Sequence, residues 1–413
     1  MVIAFLIASN ADAQEPISDW GFTLNAEELS KVSYTDQLFE ERADVLKINC
    51  ASKEDLMASN LFTMQEIDSI INYKNNYGPF LSIEEMQALN EFTVEQLKEL
   101  KSHLDFELPT RYSDILSLHK INGQISSRIL LPANFKSSEH TNYVGSDYQT
   151  AFGVRLNIGN HLSLSYNGKK DAGEQFQFSK GVNGFDFNSC SLGFKNYKKW
   201  RQLIIGDFQI QLAQGLVMWQ GMSLGKSSDI VTVKKQEQGL KSYHGMTENA
   251  YFRGVAVDCQ LKKIKLLTWV SYDAKDASMH NDSIHGNYFT SILSDGLHRN
   301  SLEISKKNSI MEFSSGMQWS VKINQTQLAY NTALLIYSHP IIVSDKCYQL
   351  FYNSGNSFFN HSISYSGTKR NINYFGECAL NERNNPAIVN GIISSLDKNL
   401  SVSLLHQIGR AHV

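Results

Sequence analysis

One short stretch of the chain contains two motifs that are typical of catalytic or nucleotide-binding loops. Residues 221–225 (GMSLG) have the spacing of a hydrolase nucleophile elbow, in which a serine, here Ser223, lies on a sharp turn between a strand and a helix. The following residues, 227–235 (SSDIVTVKK), are rich in β-branched side chains and do not predict that helix. The overlapping segment that ends at Lys226 and Ser227 is one residue too short for a phosphate-binding P-loop. We therefore predict a loop here and no catalytic residue.

The chain shows no spacing that is typical of a metal or cofactor site. The sequence contains neither an H-E-x-x-H motif nor a calcium-binding EF-hand loop. Its five cysteines are far apart, without a C-x-x-C pair or a histidine at ligand spacing, so we interpret them as isolated small apolar residues. The sequence thus predicts no metal ligand and no cofactor. The cysteines are Cys50, Cys190, Cys259, Cys347 and Cys378.

Length and composition limit the classes of protein to which this chain can belong. A chain of 413 residues can form one small domain and one large β structure. Charged residues make up 19% of the chain, which is below the roughly 25% that is usual in soluble domains. The net charge of -3 gives no overall attraction for nucleic acid or for an anionic membrane. No run of apolar residues is long enough to predict a transmembrane helix.

Both ends of the chain have unusual sequences. Residues 1–13 (MVIAFLIASNADA) combine an apolar run with an A-x-A site, which is typical of a secretory signal cut before Gln14. The first basic residue is Lys31, so we interpret this stretch as the remnant of a longer signal; a fortuitous apolar N-terminus is the alternative. Residues 408–413 (IGRAHV) match the translation of a common sequencing adapter. We therefore expect the natural chain to continue beyond Gln407.

Helical spacing of apolar residues, together with an internal repeat, predicts a small all-helical domain at residues 46–105. Residues 52–67 (SKEDLMASNLFTMQEI) align with residues 82–97 (SIEEMQALNEFTVEQL). Each copy begins two helices with capping boxes, in which a Ser or Thr is followed three residues later by an acidic residue or Gln. We predict an acidic helical lead-in at residues 14–45. The four predicted caps are Ser52, Thr63, Ser82 and Thr93, and the predicted shared core is Leu56, Phe62, Ile67, Met86, Phe92 and Leu97.

Residues 46–104 resemble the helix-hairpin-helix domain of competence-type DNA receptors. The resemblance rests on the opening LKINCASKEDL and on Gly78-Pro79-Phe80. In that family each hairpin carries a Gly-hydrophobic-Gly turn, because backbone N–H groups approach a phosphate closely only where no Cβ intervenes. Here the turns read SNLFT at residues 59–63 and LNEFT at residues 89–93, so both glycine pairs are missing. The resemblance therefore implies the fold more directly than it implies DNA binding.

Charge also disfavours nucleic acid as the partner of this domain. Residues 44–105 contain 5 Lys, no Arg and 11 acidic residues, hence 5 - 11 = -6. A DNA site takes much of its affinity from neutralised phosphates, so an acidic module should bind DNA poorly. A scaffold that binds a periplasmic protein is our main interpretation, and retained DNA binding is the alternative. In that alternative the phosphate contacts would be Asn60, Thr63, Lys74, Asn90, Thr93 and Lys98.

From about residue 113 the hydrophobic period changes to two, which predicts antiparallel strands over residues 112–407. The clearest runs have lengths close to the roughly 9 to 11 residues of a tilted membrane-spanning strand. Alternation with apolar residues outside and polar residues inside is typical of an outer-membrane barrel, and a soluble sandwich or propeller is the alternative. In one run we expect Phe208, Ile210 and Leu212 to face outward. The runs are residues 202–211, 250–259, 264–272, 311–321, 327–337, 358–366, 372–380 and 399–406.

Polar residues on these strands and their connections form a candidate network inside the barrel. An Arg or Lys that faces lipid near the bilayer centre costs about 2 to 4 kcal/mol, so such residues should face the lumen or the loops. Opposite charges would then pair and brace the wall or plug the channel. Acid–base chemistry at Asp171 and Glu174 is the alternative, although nothing in the sequence supplies a second partner. The candidate set is Lys170, Asp171, Glu174, Asp207, Gln209, Gln211, Lys226, Glu248 and Arg253.

The strand region is also similar to a Gram-negative family whose members join a secretion signal, a helix-hairpin-helix region and a β-rich outer-membrane body. The similarity rests on segments such as IGDFQIQLAQGLVMWQG and ENAYFRGVA, and the family implies no defined biochemical activity. We thus predict an α+β chain: a tandem helix-hairpin-helix domain in the periplasm, then a large antiparallel β-barrel in contact with outer-membrane lipid. The predicted function is non-enzymatic. The alternatives are a DNA-binding or DNA-uptake receptor and an envelope hydrolase built into the barrel.

Overall fold

The computed structural model describes residues 2–9, 46–106, 121–131, 143–220, 233–343, 354–397 and 400–408, apart from single positions and one pair inside these ranges (52, 60, 90, 102, 160, 180–181, 198, 249, 262, 294 and 370). Several predictions fall outside these residues. They concern the lead-in at 14–45, the helix cap at Ser52, the hairpin residues Asn60 and Asn90, the motifs around Ser223 and Lys226, and the last five residues.

The N-terminal part of the described chain is a small helical module. It comprises strand β2 (Leu46–Lys47), helices α1 (Lys53–Ala58) and α2 (Met64–Tyr77), a 3-10 helix (Ile83–Ala88), helix α3 (Val94–Leu100) and strand β3 (Leu104–Asp105). β2 pairs in parallel with β3, which brings the two ends of the module together.

Two of the predicted helix caps are confirmed. Thr63 and Glu66 form a complete capping box at the start of α2, and Thr93 and Gln96 form another at the start of α3. These caps satisfy backbone N–H groups that have no partner inside the helix. The cap predicted at Ser82 is wrong: its side chain makes no cap hydrogen bond, and the element that follows is a 3-10 helix.

The module has its own apolar core, which contains the six residues that the repeat predicted. Asn49 fastens the chain around this core, since its amide donates to the carbonyls of Phe80 (2.8 Å) and Phe106 (3.0 Å). Its side-chain oxygen accepts the backbone N–H of Phe80 at 2.8 Å. One buried amide therefore joins the start, the centre and the end of the module.

The rest of the described chain is dominated by one large sheet. Its N-terminal strands are β1 (Val2–Ser9), β4 (Ile121–Leu131), β5 (Gln149–Ile158), β6 (Leu162–Lys170), β9 (Phe187–Tyr197), β10 (Trp200–Gln211), β11 (Gly239–Ser242), β12 (Phe252–Leu261) and β13 (Ile264–Lys275). The C-terminal strands are β14 (Ala277–Asp282), β15 (Gly286–Ile292), β16 (Ile310–Ile323), β17 (Thr326–Ile341), β18 (Gly355–Lys369), β19 (Ile372–Asn381), β20 (Pro386–Asp397) and β21 (Leu400–Ile408). A separate hairpin consists of β7 (Gln177–Ser179) and β8 (Val182–Gly184), and helix α4 (Ser301–Lys306) precedes β16.

Neighbouring strands of this sheet are mostly antiparallel hairpin partners. The pairs run from β4 through β5, β6, β9, β10, β12 and β13 to β16, and then in chain order to β21. β1, the stretch that we interpreted as a signal remnant, lies in parallel beside β4. The antiparallel strands agree with the prediction, but the described pairs do not close the sheet into a complete ring.

The two faces of the sheet differ in polarity, as the alternation predicted. One row of the strand register crosses from β10 to β21 and contains only apolar or cysteine side chains on the outer face. Several of its members are strongly exposed, for example Trp319 at 55% and Ile363 at 63%. The row is Trp200, Cys259, Leu266, Trp319, Tyr330, Ile363, Cys378, Ile388 and Ile408.

The inner face encloses a packed core. Side chains from β10, β13, β17, β19 and β20 belong to one buried cluster, so the sheet curves strongly around it. Trp269 lies on this inner face and is buried, with only 1% of its surface exposed. Aromatic residues of the sheet are therefore divided between the core and the exposed face.

The prediction for the second half of β10 is wrong. Phe208, Ile210 and Leu212 are fully buried in the core and do not face outward. The even-numbered residues of β10 face inward on both sides of Gly206, since Ile204 lies in the same buried cluster as Phe208 and Ile210. At Gly206 itself φ is +104°, and a Cβ would overlap the carbonyl oxygen of Cys190. β9 pairs with the first half of β10, and beyond Gly206 strand β11 takes its place on the same edge. Both faces of β10 are buried in this second half.

Two further absences concern only the residues that the structure describes. Within them, no helix combines the length and the apolar character needed to cross a membrane. Among the described cysteines, Cys50, Cys190, Cys259 and Cys378 form no disulfide bond with one another.

Candidate functional site: the filled interior and its two ends

The chain that follows β10 crosses the space inside the curved sheet. We call residues 212–220 and 233–238 the plug. Leu212, Leu216, Val217 and Met218 pack in the same buried cluster as residues of the opposite wall, such as Ala333 and Val389. The plug therefore fills the interior at this level.

A carboxylate on the inner wall holds the plug in place. Glu377 of β19 is buried, and its Oε2 accepts the backbone N–H groups of Gln214 (2.9 Å) and Leu216 (3.1 Å). Its Oε1 accepts the hydroxyl of Ser362 at 2.7 Å. Hydrogen bonds to a charged acceptor contribute about 1.5 to 3 kcal/mol each, so Glu377 is a strong attachment point for the plug.

The wall around Glu377 carries a continuous chain of polar side chains. The amide of Gln318 donates to Glu237 of the plug (2.5 Å) and to Asn331 (2.9 Å), and Asn331 donates to Ser362 (3.0 Å). Asn331 is completely buried, so these partners supply the hydrogen bonds that water cannot. The sequence analysis did not single out these residues, although the alternation of β16 to β19 predicts that they lie on the inner face of the sheet.

Lys234 attaches the plug to the wall at another point. Its ammonium donates to Ser366 Oγ (2.9 Å) and Asn373 Oδ1 (3.2 Å), and it lies 5.6 Å from the centre of the Phe375 ring. Burial lowers the pKa of Lys234 to about 8, and the nearby positive charge of Lys53 lowers it further.

The helical module covers one end of the interior. The connections at this end are short turns, such as those between β12 and β13 and between β16 and β17. A cavity of about 480 Å³ separates the module from these turns; its lining includes Lys53, Asp68 and Glu91 of the module and Gln325 of a turn. Asp55 of α1 also forms an ion pair of 3.5 Å with Lys195 near the end of β9.

The opposite end is built from the longer connections and contains a buried ionic cluster. His298, which lies just before α4, contacts Asp186 through Nδ1 (2.5 Å) and Asp276 through Nε2 (2.7 Å). Lys307 forms a second ion pair with Asp186 at 2.5 Å. Burial alone would lower the pKa of His298, but hydrogen bonds to the two aspartates outweigh it and raise that pKa to about 10.

Two glutamates belong to the same cluster. Glu174 accepts the backbone N–H groups of His298 (2.9 Å) and Asp171 (2.8 Å). Burial raises the pKa of Glu174 to about 7, and the negative charges of Asp186 and Asp171 add to this effect. Burial raises the pKa of Glu248 to about 9. Together with Asp276 and His298, Glu248 lines a cavity of about 350 Å³.

The remaining members of the predicted polar network make further contacts, and among them Asp171 also donates its backbone N–H to Glu174 of the cluster. Asp207 pairs with Arg253 through two hydrogen bonds of 2.7 and 3.0 Å. Lys170 donates to three backbone carbonyls, those of Ser146, Tyr148 and Asp171. Asp171 pairs with Lys169 at 3.2 Å. Gln209 donates to the carbonyl of Ala250 and Gln211 to that of Gln220, while Lys226 lies outside the described residues.

The candidate phosphate contacts in the helical module do not form one cationic surface among the described residues. Lys74 turns inward, where it donates to the carbonyls of Ile48 (2.8 Å) and Ala51 (2.9 Å). Burial lowers the pKa of Lys74. The hydroxyls of Thr63 and Thr93 cap their own helices, and Lys98 is exposed.

Sequence reasoning found Glu174 and Glu248 but missed His298, Asp186 and Asp276. These residues come from three different connections and share no spacing motif. Only the strand order brings them together at one end of the sheet.

No protein-family model matches the chain, and no curated protein matches it. Among solved structures, OmpF of Salmonella typhi in complex with daunomycin has 10% sequence identity and a TM-score of 0.27, with 73% of this chain and 92% of that chain covered. For the anion-selective porin of Comamonas acidovorans the identity is 8%, the TM-score 0.25, and the coverage 63% and 78%. OccAB2 of Acinetobacter baumannii has 9% identity and a TM-score of 0.24, with 62% and 72% covered. Similarities at TM-scores this low support no conclusion about this chain, and the proposals below rest on its own residues.

Proposed function

We propose that this protein is a non-enzymatic outer-membrane β-barrel protein whose interior is closed by its own plug. The observation that carries the proposal is the outer face of the sheet. Nine neighbouring strands contribute one apolar or cysteine side chain each to the row that runs from Trp200 to Ile408. A soluble protein rarely exposes so extended an apolar surface, whereas lipid is its natural solvent.

Lengths of the connections support an orientation. Outer-membrane barrels have short turns on the periplasmic side and longer loops on the outside. The helical module lies at the short-turn end, so the proposal places it in the periplasm. The ionic cluster around His298 would then lie at the outer surface.

We further propose that the helical module is an interaction or assembly domain for a periplasmic protein. Its charge of 5 - 11 = -6 over residues 44–105 and the inward position of Lys74 support a protein partner over DNA. Tyr77 and Leu81, which flank the Gly-Pro-Phe segment, are 78% and 69% exposed and offer apolar contact area to such a partner.

A matched pair of arginine substitutions tests the membrane proposal. Ile363→Arg places a charge in the centre of the apolar row, and in lipid this costs about 2 to 4 kcal/mol. Ile284→Arg changes an even more exposed isoleucine, at 85%, in the turn between β14 and β15 beyond the row. We expect Ile363→Arg to reduce the heat-modifiable, outer-membrane fraction of the full-length protein several-fold and Ile284→Arg to leave it unchanged.

The unmodified chain is the reference for this experiment. It should sediment with outer membranes and migrate differently on gels before and after heating. A product that is freely soluble in the periplasm, or equal tolerance of both arginines, contradicts the proposal.

A further inference from the structure

The ionic cluster at the long-loop end has two faces, one on each side of the His298 imidazole. Glu174 and Asp186 lie on the Nδ1 side, and Glu248 and Asp276 lie on the Nε2 side. On each side, one nitrogen and two carboxylate oxygens lie within 4.8 Å of one another. Both groups of three therefore have the compactness of a metal-ligand set.

Contacts within the protein distinguish the two sides. Both oxygens of Glu174 already accept backbone N–H groups, and Asp186 is paired with Lys307. On the other side, Glu248, Asp276 and His298 all line the cavity of about 350 Å³, and Glu174 does not. The Nε2 side thus has room for an ion and for water beside it.

Local backbone structure makes this room. Gly296 has a φ of +59°, and a Cβ at this position would overlap the carboxyl group of Glu248. Glycine therefore meets two requirements at once, the left-handed backbone and the space for the carboxylate.

Charge gives an independent argument. With His298 neutral, as a metal ligand must be, the ionised carboxylates of Glu174, Asp186, Glu248 and Asp276 are offset within the cluster by the ammonium of Lys307, hence -4 + 1 = -3. The neighbouring Asp273 and Asp207 are already paired with Lys275 and Arg253. Buried charge that has no partner is costly, and one divalent cation would offset two of these three negative charges.

We propose that Glu248, Asp276 and His298 bind a divalent transition-metal ion, of the class of Zn²⁺ or Mn²⁺, at the long-loop end of the sheet. One imidazole nitrogen and two carboxylate oxygens are a ligand set that these ions accept, and the remaining positions face the cavity. His298 binds as the neutral imidazole through Nε2 and keeps its Nδ1–H for Asp186. Asp186 then orients the ring as an outer carboxylate partner, an arrangement that is common at metal-binding histidines.

The test uses the full-length protein in detergent after removal of metals with a chelator. Calorimetric titration with ZnCl₂ and with MnCl₂ should show saturable binding of one ion per chain by at least one of them. Glu248→Gln should abolish this binding. Asp186→Asn should weaken it about 10- to 100-fold, the effect typical of losing an outer partner.

A matched control excludes adventitious binding at the surface. Asp282 and His285 form an exposed pair of 3.1 Å in the nearby β14–β15 hairpin, and Asp282→Asn should leave the titration unchanged. Equal binding by the wild type and Glu248→Gln, or loss of binding in Asp282→Asn, overturns the proposal, as does the absence of saturable binding.

Folding of the variants is monitored separately by heat-modifiable gel mobility. Glu248→Gln replaces the carboxyl group by an amide of nearly the same shape, so we expect it to fold. Co²⁺ provides a second readout: the wild type should develop visible d–d absorption bands, and His298→Gln should not. A colourless wild type at saturating Co²⁺ also counts against the site. The result does not depend on where the protein resides in the cell.

Discussion

At the scale of single residues, Lys234 shows how burial and charge together create a pH dependence. Its ammonium bonds to two neutral oxygens, those of Ser366 and Asn373, and the side chain is 6% exposed. Removal from water disfavours the charged form, which lowers the pKa of Lys234 from 10.5 to about 8. The folded protein therefore releases this proton at a lower pH than the unfolded chain does.

The sign of the resulting stability change follows from linkage. Below pH 8 Lys234 is protonated in both the folded and the unfolded chain, and burying its charge costs the folded state about 3 kcal/mol. Between about pH 8 and 10.5 the unfolded chain binds more protons than the folded protein, so the free energy of unfolding rises with pH. We predict that Lys234→Met stabilises the protein near pH 7 and that this gain fades towards pH 10.5. The midpoint of the heat-induced mobility shift, measured at several pH values, reports it. Lys322→Met, at an exposed lysine of the same cavity, is the control, and parallel curves for all three proteins would contradict the prediction.

Sequence patterns located some of the residues at this scale but not their partners. The sequence analysis placed Asp207 and Glu174 in the predicted polar network, and both are 1% exposed. It did not indicate that Glu174 would meet His298, because these two residues are 124 positions apart in the chain. Such pairings depend on strand order, which periodicity does not encode.

At the scale of elements, the attachment between the plug and β19 is the feature that closes the interior. Glu377→Ala leaves the backbone N–H groups of Gln214 and Leu216 without their acceptor, and each such buried group costs about 1 to 3 kcal/mol. We predict that this substitution loosens the plug and raises single-channel conductance in planar bilayers, whereas the wild type conducts little. Glu382→Ala, at an exposed carboxylate in the adjacent hairpin, should behave as the wild type. High conductance of the wild type itself would show that the interior is open.

The elements themselves were largely predictable. All eight clear runs of alternating residues coincide with strands, because period two is a direct consequence of strand geometry. The orientation of the second half of β10 was not predictable, because an alternating strand whose apolar residues pack inward has the same pattern as one whose apolar residues face lipid. The 3-10 helix after Ser82 likewise has the sequence of a normal capped helix.

At the scale of the whole molecule, the alternation predicts a large antiparallel sheet and the internal repeat predicts a separate helical core. Neither pattern specifies where the two parts meet. The structure brings the module to the short turns, with Asp55 of α1 beside Lys195 of β9. The two ends of the molecule therefore have different structures. The helical module covers one end, and long connections around an ionic cluster form the other.

This polarity predicts which residues are accessible from outside an intact cell. In a variant without the five natural cysteines, Ile284→Cys lies in the β14–β15 turn of the long-loop end, and Gln325→Cys lies in a short turn beside the module. If the module is periplasmic, a large maleimide reagent that cannot cross the outer membrane should label the first cysteine on intact cells. It should label the second only after the membrane is permeabilised. Labelling of Gln325→Cys on intact cells, with protection of Ile284→Cys, would reverse the orientation and place the helical module at the cell surface.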